Sequence, residues 1–579
     1  MIMIKYIFLL FFLPFALCNK WNNIGLAESD SYVKYTIAIK QKNLDFLESL
    51  ALNISNPEHN DYGKYLTKEE INYYSKPEEK ITNKVLFWLI NNNVYKFKFF
   101  GDSIQCIDKV YNIEKMFNVK MFKFKNLKTK KFVIKANNNY VIPKSLHNYI
   151  IFIDGLSNPL FPVYDPAISS NNPDSGIIGR EVIDRLYDIN PNTVIENKTI
   201  SAAAVEFQGG GFSKDDLKNT QINNGVKPRE VYKVIGGNLG GGTESKLDMQ
   251  MIATTAPGVQ LWYVNYNLWL YQMANDMFNR EEVPDILSIS YGWAERDQCS
   301  VTDCKNKSSA NYVDRVNIEF MKLALRGITL VVASGDAGSP GRTNEGCDPT
   351  VDLINPVLPG SSPWILSVGA TFVKQSNDTY DFKTPICKEN KCASGMKTQS
   401  INFNETGWTT GSGFGIYITE KRPRWQKKLV SEYLMSGTYL PNKQNWNVNG
   451  RGYPDVSVVG HNCPVLDEGN YESVDGTSCS APVMAGIIAI LNDHQVSKGR
   501  PKLGFVNQLF YQMANTKNIF NKPVVTNTHC TEYLCCSNEF GFEGSSTLWD
   551  PVGGLGGPNV TSMISYLDDL FKKIEIKST

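Results

Sequence analysis

The sequence predicts an α/β domain, a parallel sheet flanked by helices, preceded by a smaller α+β domain. Three observations predict it. Short, nearly continuous apolar runs recur beyond residue 179, among them TISAAAVEF, GVQLWYVN, PDILSISYG, GITLVVASGDAG, SPWILSVGAT and PDVSVVG. Runs of this kind, ending in Ser, Gly or Asp, are expected of buried parallel strands whose carboxyl ends carry a site. Helical patterns and glycine-rich turns alternate with them, the texture of an α/β domain. From about Trp21 to Tyr164 the texture differs: the chain is rich in Lys and Asn, and segments such as VKMFKFKNLKTKKFVIK alternate as half-buried strands do.

From the N-terminus, MIMIKYIFLLFFLPFALCNK sets Lys5 before a short apolar run ending in the small residues Ala16 and Cys18. This is the layout of a cleaved signal peptide over residues 1–18, and the run is short for a membrane span. Residues 19–163 then form the α+β domain. Residues 164–178, YDPAISSNNPDSGII, read as an exposed linker open to proteolysis. Residues 179–579 form the larger domain. Its long uncharged stretch, Met249 to Asn275, is broken by Pro257 and Gly258 and reads as core, so no membrane anchor is expected.

Fifty-nine basic and 58 acidic side chains leave a formal charge of +1. No global field points to nucleic acid or an anionic membrane, and the basic stripe reads as a solvated strand face. Entry to the secretory route gives meaning to sequons at Asn53, Asn197, Asn306, Asn377, Asn404 and Asn559. It also makes disulfides, rather than metal, the expected state of the cysteines. QCSVTDC and ICKENKC read as short local loops, and Cys530, Cys535 and Cys536 cluster, with the connectivity left open.

The chemistry centres on VDGTSCSAPVMAG, in which Gly-Thr-Ser-x-Ser-x-Pro surrounds Ser478. This resembles the setting of the nucleophilic serine in subtilisin-like peptidases. The residues that follow are helical, with Pro482 expected in the first turn, so Ser478 stands at a helix N-terminus where developing negative charge is favoured. An N-capping serine is the plainer reading of that position, but the glycine- and serine-rich context and the apolar helix behind it favour a nucleophile. A subtilisin would present its base in a His-Gly-Thr turn. None of the five histidines is followed by Gly-Thr, and His494 lies several turns along the same helix.

A carboxylate can replace histidine where carboxyls titrate, which predicts an acidic compartment. Glu244 and Asp248 stand one helical turn apart on one face. On an exposed helix they would merely repel, whereas in a shared site they hold a proton between them. VVASGDAG ends a strand at Asp336. Alone this is a turn aspartate; protonated, it can donate a hydrogen bond to an oxyanion.

Glu244 and Asp248, then Asp336, then Ser478 occur in the order and contexts of the sedolisin, or serine-carboxyl peptidase, family, and the chain resembles its tripeptidyl peptidase I branch over nearly its whole length. SNPEHNDYGKYLTKEEI resembles the family prosegment, VIDRLYDI the start of the mature enzyme, and LPGSSPWILSVGAT, GSGFG and GRGYPDVS parts of the catalytic domain. The resemblance implies a subtilisin-like sheet and an acid-active peptidase made as a zymogen, releasing tripeptides from free N-termini in a lysosome or other acidic compartment. An endopeptidase and an inactive peptide-binding relative are the alternatives. Glu244 would be the base for Ser478, Asp248 would orient it, and Asp336 would complete the oxyanion hole. Ser288, Ser290, Gly411, Ser412 and Gly413 would line the peptide cleft. One Ca2+ ion is implied near the C-terminus, with Asp550 as carboxylate and Asn521, Lys522, Ser546 and Leu548 at the remaining positions. Asn521 stands where an aspartate is usual, and Ser546 and Leu548 where glycines are. The partners would be peptide substrates and the chain's own prosegment, whose basic stripe is expected to face the carboxylate-rich enzyme so that acid weakens the pairing.

Overall fold

The computed structural model describes residues 21–157, 178–375 and 396–578, with breaks at 128–129, 131, 137–139, 208, 305–307, 345 and 348–353, together with 387–388 and 391–392. The expected signal peptide and nearly all of the linker, and the sequons at Asn306 and Asn377, lie outside the described residues. So do the side chains of ICKENKC.

The N-terminal part is α+β. Phe97–Phe99, Ser103–Lys109, Tyr32–Ile39 and Ile150–Asp154 form an antiparallel sheet in that order. The lysine-rich stripe supplies two strands, Met121–Asn126 and Phe132–Ala136, of a second antiparallel sheet with Trp21–Leu26. Helices Leu44–Ile54, Lys68–Ser75 and Glu79–Asn91 complete this part. The second helix starts at a capping box, Thr67 accepting from the Glu70 amide while Glu70 accepts from that of Thr67.

The larger part is the subtilisin-like parallel sheet. Its strands are β1 (Ser201–Glu206), β2 (Lys233–Ile235), β3 (Gln260–Asn265), β4 (Ile286–Ile289), β5 (Thr329–Ala333), β6 (Leu366–Gln375), β7 (Met396–Ser400) and β8 (Val456–Val459). They are ordered β7-β6-β5-β4-β1-β3-β2, with β8 also on β6, and only the β6–β7 pairing is antiparallel. Both faces are covered, which is why these strands read as continuous apolar runs. Ala202 and Ala204 of β1 face one core and Ala203 and Val205 the other. Against the first core lie α1 (Thr243–Thr255) and α3 (Thr477–Ser497), both almost wholly buried; against the second lies α2 (Ser309–Leu325).

The two parts meet over a packed seam. The Tyr65 ring sits where side chains at Gly327 or Gly504 would come within 2.6 Å of it, and its hydroxyl donates to Lys502 O at 2.8 Å. Beside it Asp102 of the N-terminal part receives the Lys322 ammonium at 2.7 Å and the Arg315 guanidinium at 3.3 Å. Glu319 receives the same two cations at 2.9 and 2.8 Å, and all four side chains are fully buried.

The basic stripe faces the larger part only in part. Lys120 and Lys123 pair with Glu114 and Glu28 within the N-terminal part, whereas Lys135, which donates to Gly155 O, draws partly back the Asp303 carboxyl of the larger part, which burial raises. The buried lock has the reverse polarity: the acid comes from the N-terminal part and the cations from α2.

Candidate active site

Ser478 is the second residue of α3 and is 6% exposed. Gly476 before the helix has φ 147°, a conformation that suits glycine. Pro482 falls at the sixth helical position, beyond the first turn where it was expected. It has no N–H to give to the Ser478 carbonyl four residues back. The Ser290 hydroxyl reaches that carbonyl instead, at 3.3 Å, while also lying 2.8 Å from Asp248 Oδ1. That hydroxyl is thus shared between the carboxyl of Asp248, to which it donates, and the carbonyl the proline leaves unpaired. A Cys463–Cys479 disulfide ties the start of α3 to the hairpin before it.

Three carboxyls converge behind Ser478. Glu244 and Asp248 project from α1, and Glu206 ends β1, at the carboxyl edge where a parallel sheet places its sites. Burial raises Glu244 well above the ordinary carboxyl range, Glu206 adds to the rise, and a hydrogen bond with Ser478 opposes it. Burial, then Glu244 and Glu206, raise Asp248, against the bond from Ser290. Burial pushes Glu206 up to about 7 despite bonds from Tyr291 and Ser245, the former at 2.7 Å. Glu206 Oε1, Glu244 Oε1 and Asp248 Oδ2 are enclosed without a donor among the described residues. Protons held between the carboxyls would satisfy them.

Asp336 stands opposite, just past β5. Its Oδ1 accepts from the Thr477 amide and hydroxyl, both at 2.7 Å, and the same hydroxyl accepts from the Gly335 amide at 3.1 Å. Oδ2 is left for the cavity, with the Arg342 guanidinium 3.8 Å away. Burial raises the Asp336 carboxyl, and Arg342, itself paired with Glu532, draws it partly back. A protonated Oδ2 here is a hydrogen-bond donor aimed at the same space as Ser478.

Glu244, Ser290, Tyr291, Trp293, Asp336, Arg342 and Ser478 are among the residues that line a cavity of about 70 Å3. No histidine lines it. His461 is bound to Asp475 at 2.6 Å, and His494 to Asp568 at 2.9 Å. Of the expected cleft residues only Ser290 reaches this cavity. Ser288 and Ser412 are fully buried, Gly411 packs on Gly335 and Ser334, and Gly413 pairs with Tyr453. Glu206 and Arg342 escaped the sequence reading. A glutamate ending an otherwise apolar strand, TISAAAVE, is the signal that could have found the first; Arg342 follows β5 by nine residues and has none.

Among the described residues the cysteines are joined as Cys299–Cys304, Cys530–Cys535, Cys347–Cys536 and Cys463–Cys479, and Cys106 is free and buried. QCSVTDC is thus a local loop as expected.

The implied calcium position does not fit the ion. Asp550 is fully buried, but its Oδ2 is met at 2.9 Å by the Lys522 ammonium, which also donates to Gly554 O at 2.8 Å and Leu548 O at 3.5 Å. Ca2+ takes six to eight oxygens at about 2.3–2.6 Å. Asn521 instead lies in a short strand opposite Gly557. Among the described residues no group of three or more His, Cys, Asp or Glu side chains could hold a metal.

Residues 19–159 match the family described as Pro-kumamolisin, activation domain, and residues 234–519 match the Subtilase family. The chain is 35% identical over 570 residues to physarolisin of Physarum polycephalum, covering 96% of this chain and 97% of that one. It is 28% identical over 589 residues to tripeptidyl-peptidase 1 of Dictyostelium discoideum, covering 92% and 89%. Tripeptidyl-peptidase 1 of Mus musculus is likewise 28% identical, over 583 residues, covering 94% and 93%. With an activation domain, a subtilase-type catalytic domain and relatives matched from end to end, the chain belongs to the sedolisin family of serine-carboxyl peptidases.

Proposed function

We propose that this zymogen matures to an acid-active peptidase that removes tripeptides from the free N-termini of peptides in a lysosome or similar acidic compartment. One observation carries the chemistry: Ser478 shares a cavity with a buried glutamate backed by two further carboxyls, and no histidine lines that cavity. The names of the tripeptidyl-peptidase relatives support the tripeptide product. Among the described residues no helix is long and apolar enough to cross a membrane.

Glu244 takes the Ser478 hydroxyl proton as Oγ attacks the substrate carbonyl carbon. Asp248 and Glu206 share protons with Glu244, so charge gained at Glu244 spreads over the group. The carbonyl oxygen becomes an oxyanion that accepts from protonated Asp336 and from the Ser478 amide, which has no intrahelical acceptor in the first turn. Glu244 then protonates the departing amine. Water, deprotonated by Glu244, hydrolyses the acyl-enzyme and restores Ser478. Extended substrate pairs as an added strand along Ser290–Ala294, which line the cavity, with Ser288 and Gly411–Gly413 holding that wall from behind.

Residues 19–163 are the inhibitory prosegment, released by a cut within 164–178. A cavity of about 70 Å3 is far below the roughly 300 Å3 at which ligand sites begin, as suits a precursor. The test is to acidify the zymogen and assay a tripeptide amide with a free N-terminus beside an N-blocked, internally quenched peptide from pH 3 to 8, with Ser478→Ala as control. Serine-dependent release in acid from the free-ended substrate alone is expected. Cleavage of the blocked peptide would make the enzyme an endopeptidase, and no serine-dependent cleavage of either would leave a peptide-binding protein.

A further inference from the structure

The C-terminal loop that the family resemblance assigns to calcium holds a positive charge of the chain's own. We infer that the Lys522 ammonium replaces the metal ion, so that this peptidase keeps its C-terminal loop without calcium. Three acceptors surround Nζ: Asp550 Oδ2, Gly554 O and Leu548 O, at 2.9, 2.8 and 3.5 Å. An ammonium has three protons to donate, so the cage matches it in number, whereas it is too small a set for an ion that takes six to eight oxygens. Two of the three acceptors, Asp550 and Leu548, are positions where the ion was expected. A dication here would meet a like charge 2.9 Å from the Asp550 carboxylate it would have to share.

The anion needs the cation. Asp550 is fully buried, and its other contacts are amides: Val552 and Gly553 donate to Oδ1 at 2.9 and 2.7 Å, and Ser545 to Oδ2 at 3.2 Å. A buried carboxylate without a counter-charge is costly even when hydrogen-bonded. Lys522 approaches from the side left open, on a stem one quarter exposed (25%), with its strand fixed by the pairing of Phe520 and Asn521 with Pro558 and Gly557.

The loop so closed supports the strand that leads to Ser478. Trp549 Nε1 donates to Pro454 O at 2.9 Å, Leu555 N to Asp455 O at 2.7 Å, and Ser457 Oγ to Gly553 O at 2.7 Å. β8 then runs to Gly460, whose carbonyl receives the Gly476 amide at 2.9 Å, two residues before Ser478. A cation at this place therefore bears on the register of the nucleophile without touching substrate.

The test is thermal unfolding of the full-length precursor at pH 7, where EDTA chelates well, with EDTA or with millimolar Ca2+. The wild-type midpoint is expected to be the same in both, and calorimetric titration with CaCl2 to show no saturable site. Lys522→Met, which keeps the stem and loses the charge, should lower the midpoint by several degrees. Asn521→Asp combined with Lys522→Ala supplies a second carboxylate and removes the competing charge, and should gain both a saturable calcium site and a midpoint that rises with Ca2+. A wild-type midpoint that falls in EDTA and returns with Ca2+ would overturn the inference. So would a Lys522→Met protein as stable as wild type, or a double variant indifferent to calcium. Since the readout is stability, failure here leaves the peptidase reading untouched, and failure of that reading leaves this one.

Discussion

Two clusters of buried carboxyls sit within one fold and behave oppositely. At the seam, Asp102 and Glu319 are matched by Arg315 and Lys322. Behind Ser478, Glu206, Glu244 and Asp248 are buried together with no such cations, and Arg342 partly offsets Glu244. Burial alone would raise Asp102, but the Lys322 and Arg315 charges override it and hold its carboxyl below the usual 3.8. The carboxyls behind Ser478 go up instead. Burial sets how much is at stake, and the partner sets the sign.

The signs have opposite consequences for pH. Asp102 binds its proton less readily in place than free, so its contribution to the seam is complete above pH 3.8 and is lost as pH falls below that. Glu206 holds its proton up to about 7, whereas unfolded it would release it near 4.5. Between those values the native protein binds more protons than the unfolded chain, so stability falls as pH rises. Glu295, buried beside Glu420 and likewise raised to about 7, adds to the same slope. Acidification from pH 7 thus first steadies the catalytic domain and only below pH 3.8 takes away the Asp102 contribution to the seam.

The largest effect expected is from Glu244→Gln, which removes the base but also one charge from the crowded cluster. Its kcat should fall by at least roughly 10^3-fold while its melting temperature at pH 7 rises; a fall in both would mean the cluster is not under repulsion. Asp336→Ala should cost about 10^2–10^3-fold in kcat. Asp336→Asn, which keeps a donor, should cost less and retain activity to higher pH, as stopped assays from pH 4 to 8 would reveal. Lys322→Met leaves two buried anions for one guanidinium and should destabilise the zymogen by about 3–5 kcal/mol in urea unfolding, with faster loss of the prosegment. Asp102→Asn should flatten the pH dependence of prosegment dissociation below pH 4, measured as off-rates on an immobilised enzyme. The smallest effect is from Tyr291→Phe: losing its bond lifts Glu206 further, and the alkaline limb of kcat should move up by less than about one pH unit.

Much of this was legible because it is local. The strand runs, the helix after Ser478 and the i,i+4 pair of Glu244 and Asp248 are set by periodicities that a short window contains. The disulfides Cys347–Cys536 and Cys463–Cys479 were not, since a bridge needs Cα atoms within about 7 Å and only the folded chain brings them there. The family resemblance implies a cleft role for Ser290; its bond to the Ser478 carbonyl was not legible, because it depends on a proline 192 positions later that withholds an N–H. The basic stripe was legible as charge but not as direction: Lys120 and Lys123 turn to acids of their own part, and Lys135 turns to Asp303 of the larger one.

By itself, then, the sequence determined the α/β class and the missing histidine, and it singled out Glu244, Asp248, Asp336 and Ser478 as candidates, because each depends on residue type and near spacing. The tertiary structure decided which acids are buried together, which are locked by cations, and that Lys522 stands where an ion was expected. Those outcomes turn on distances of a few ångströms between residues far apart in the chain. In a low-dielectric interior, that is the range over which a charge chooses between keeping its proton and keeping a partner.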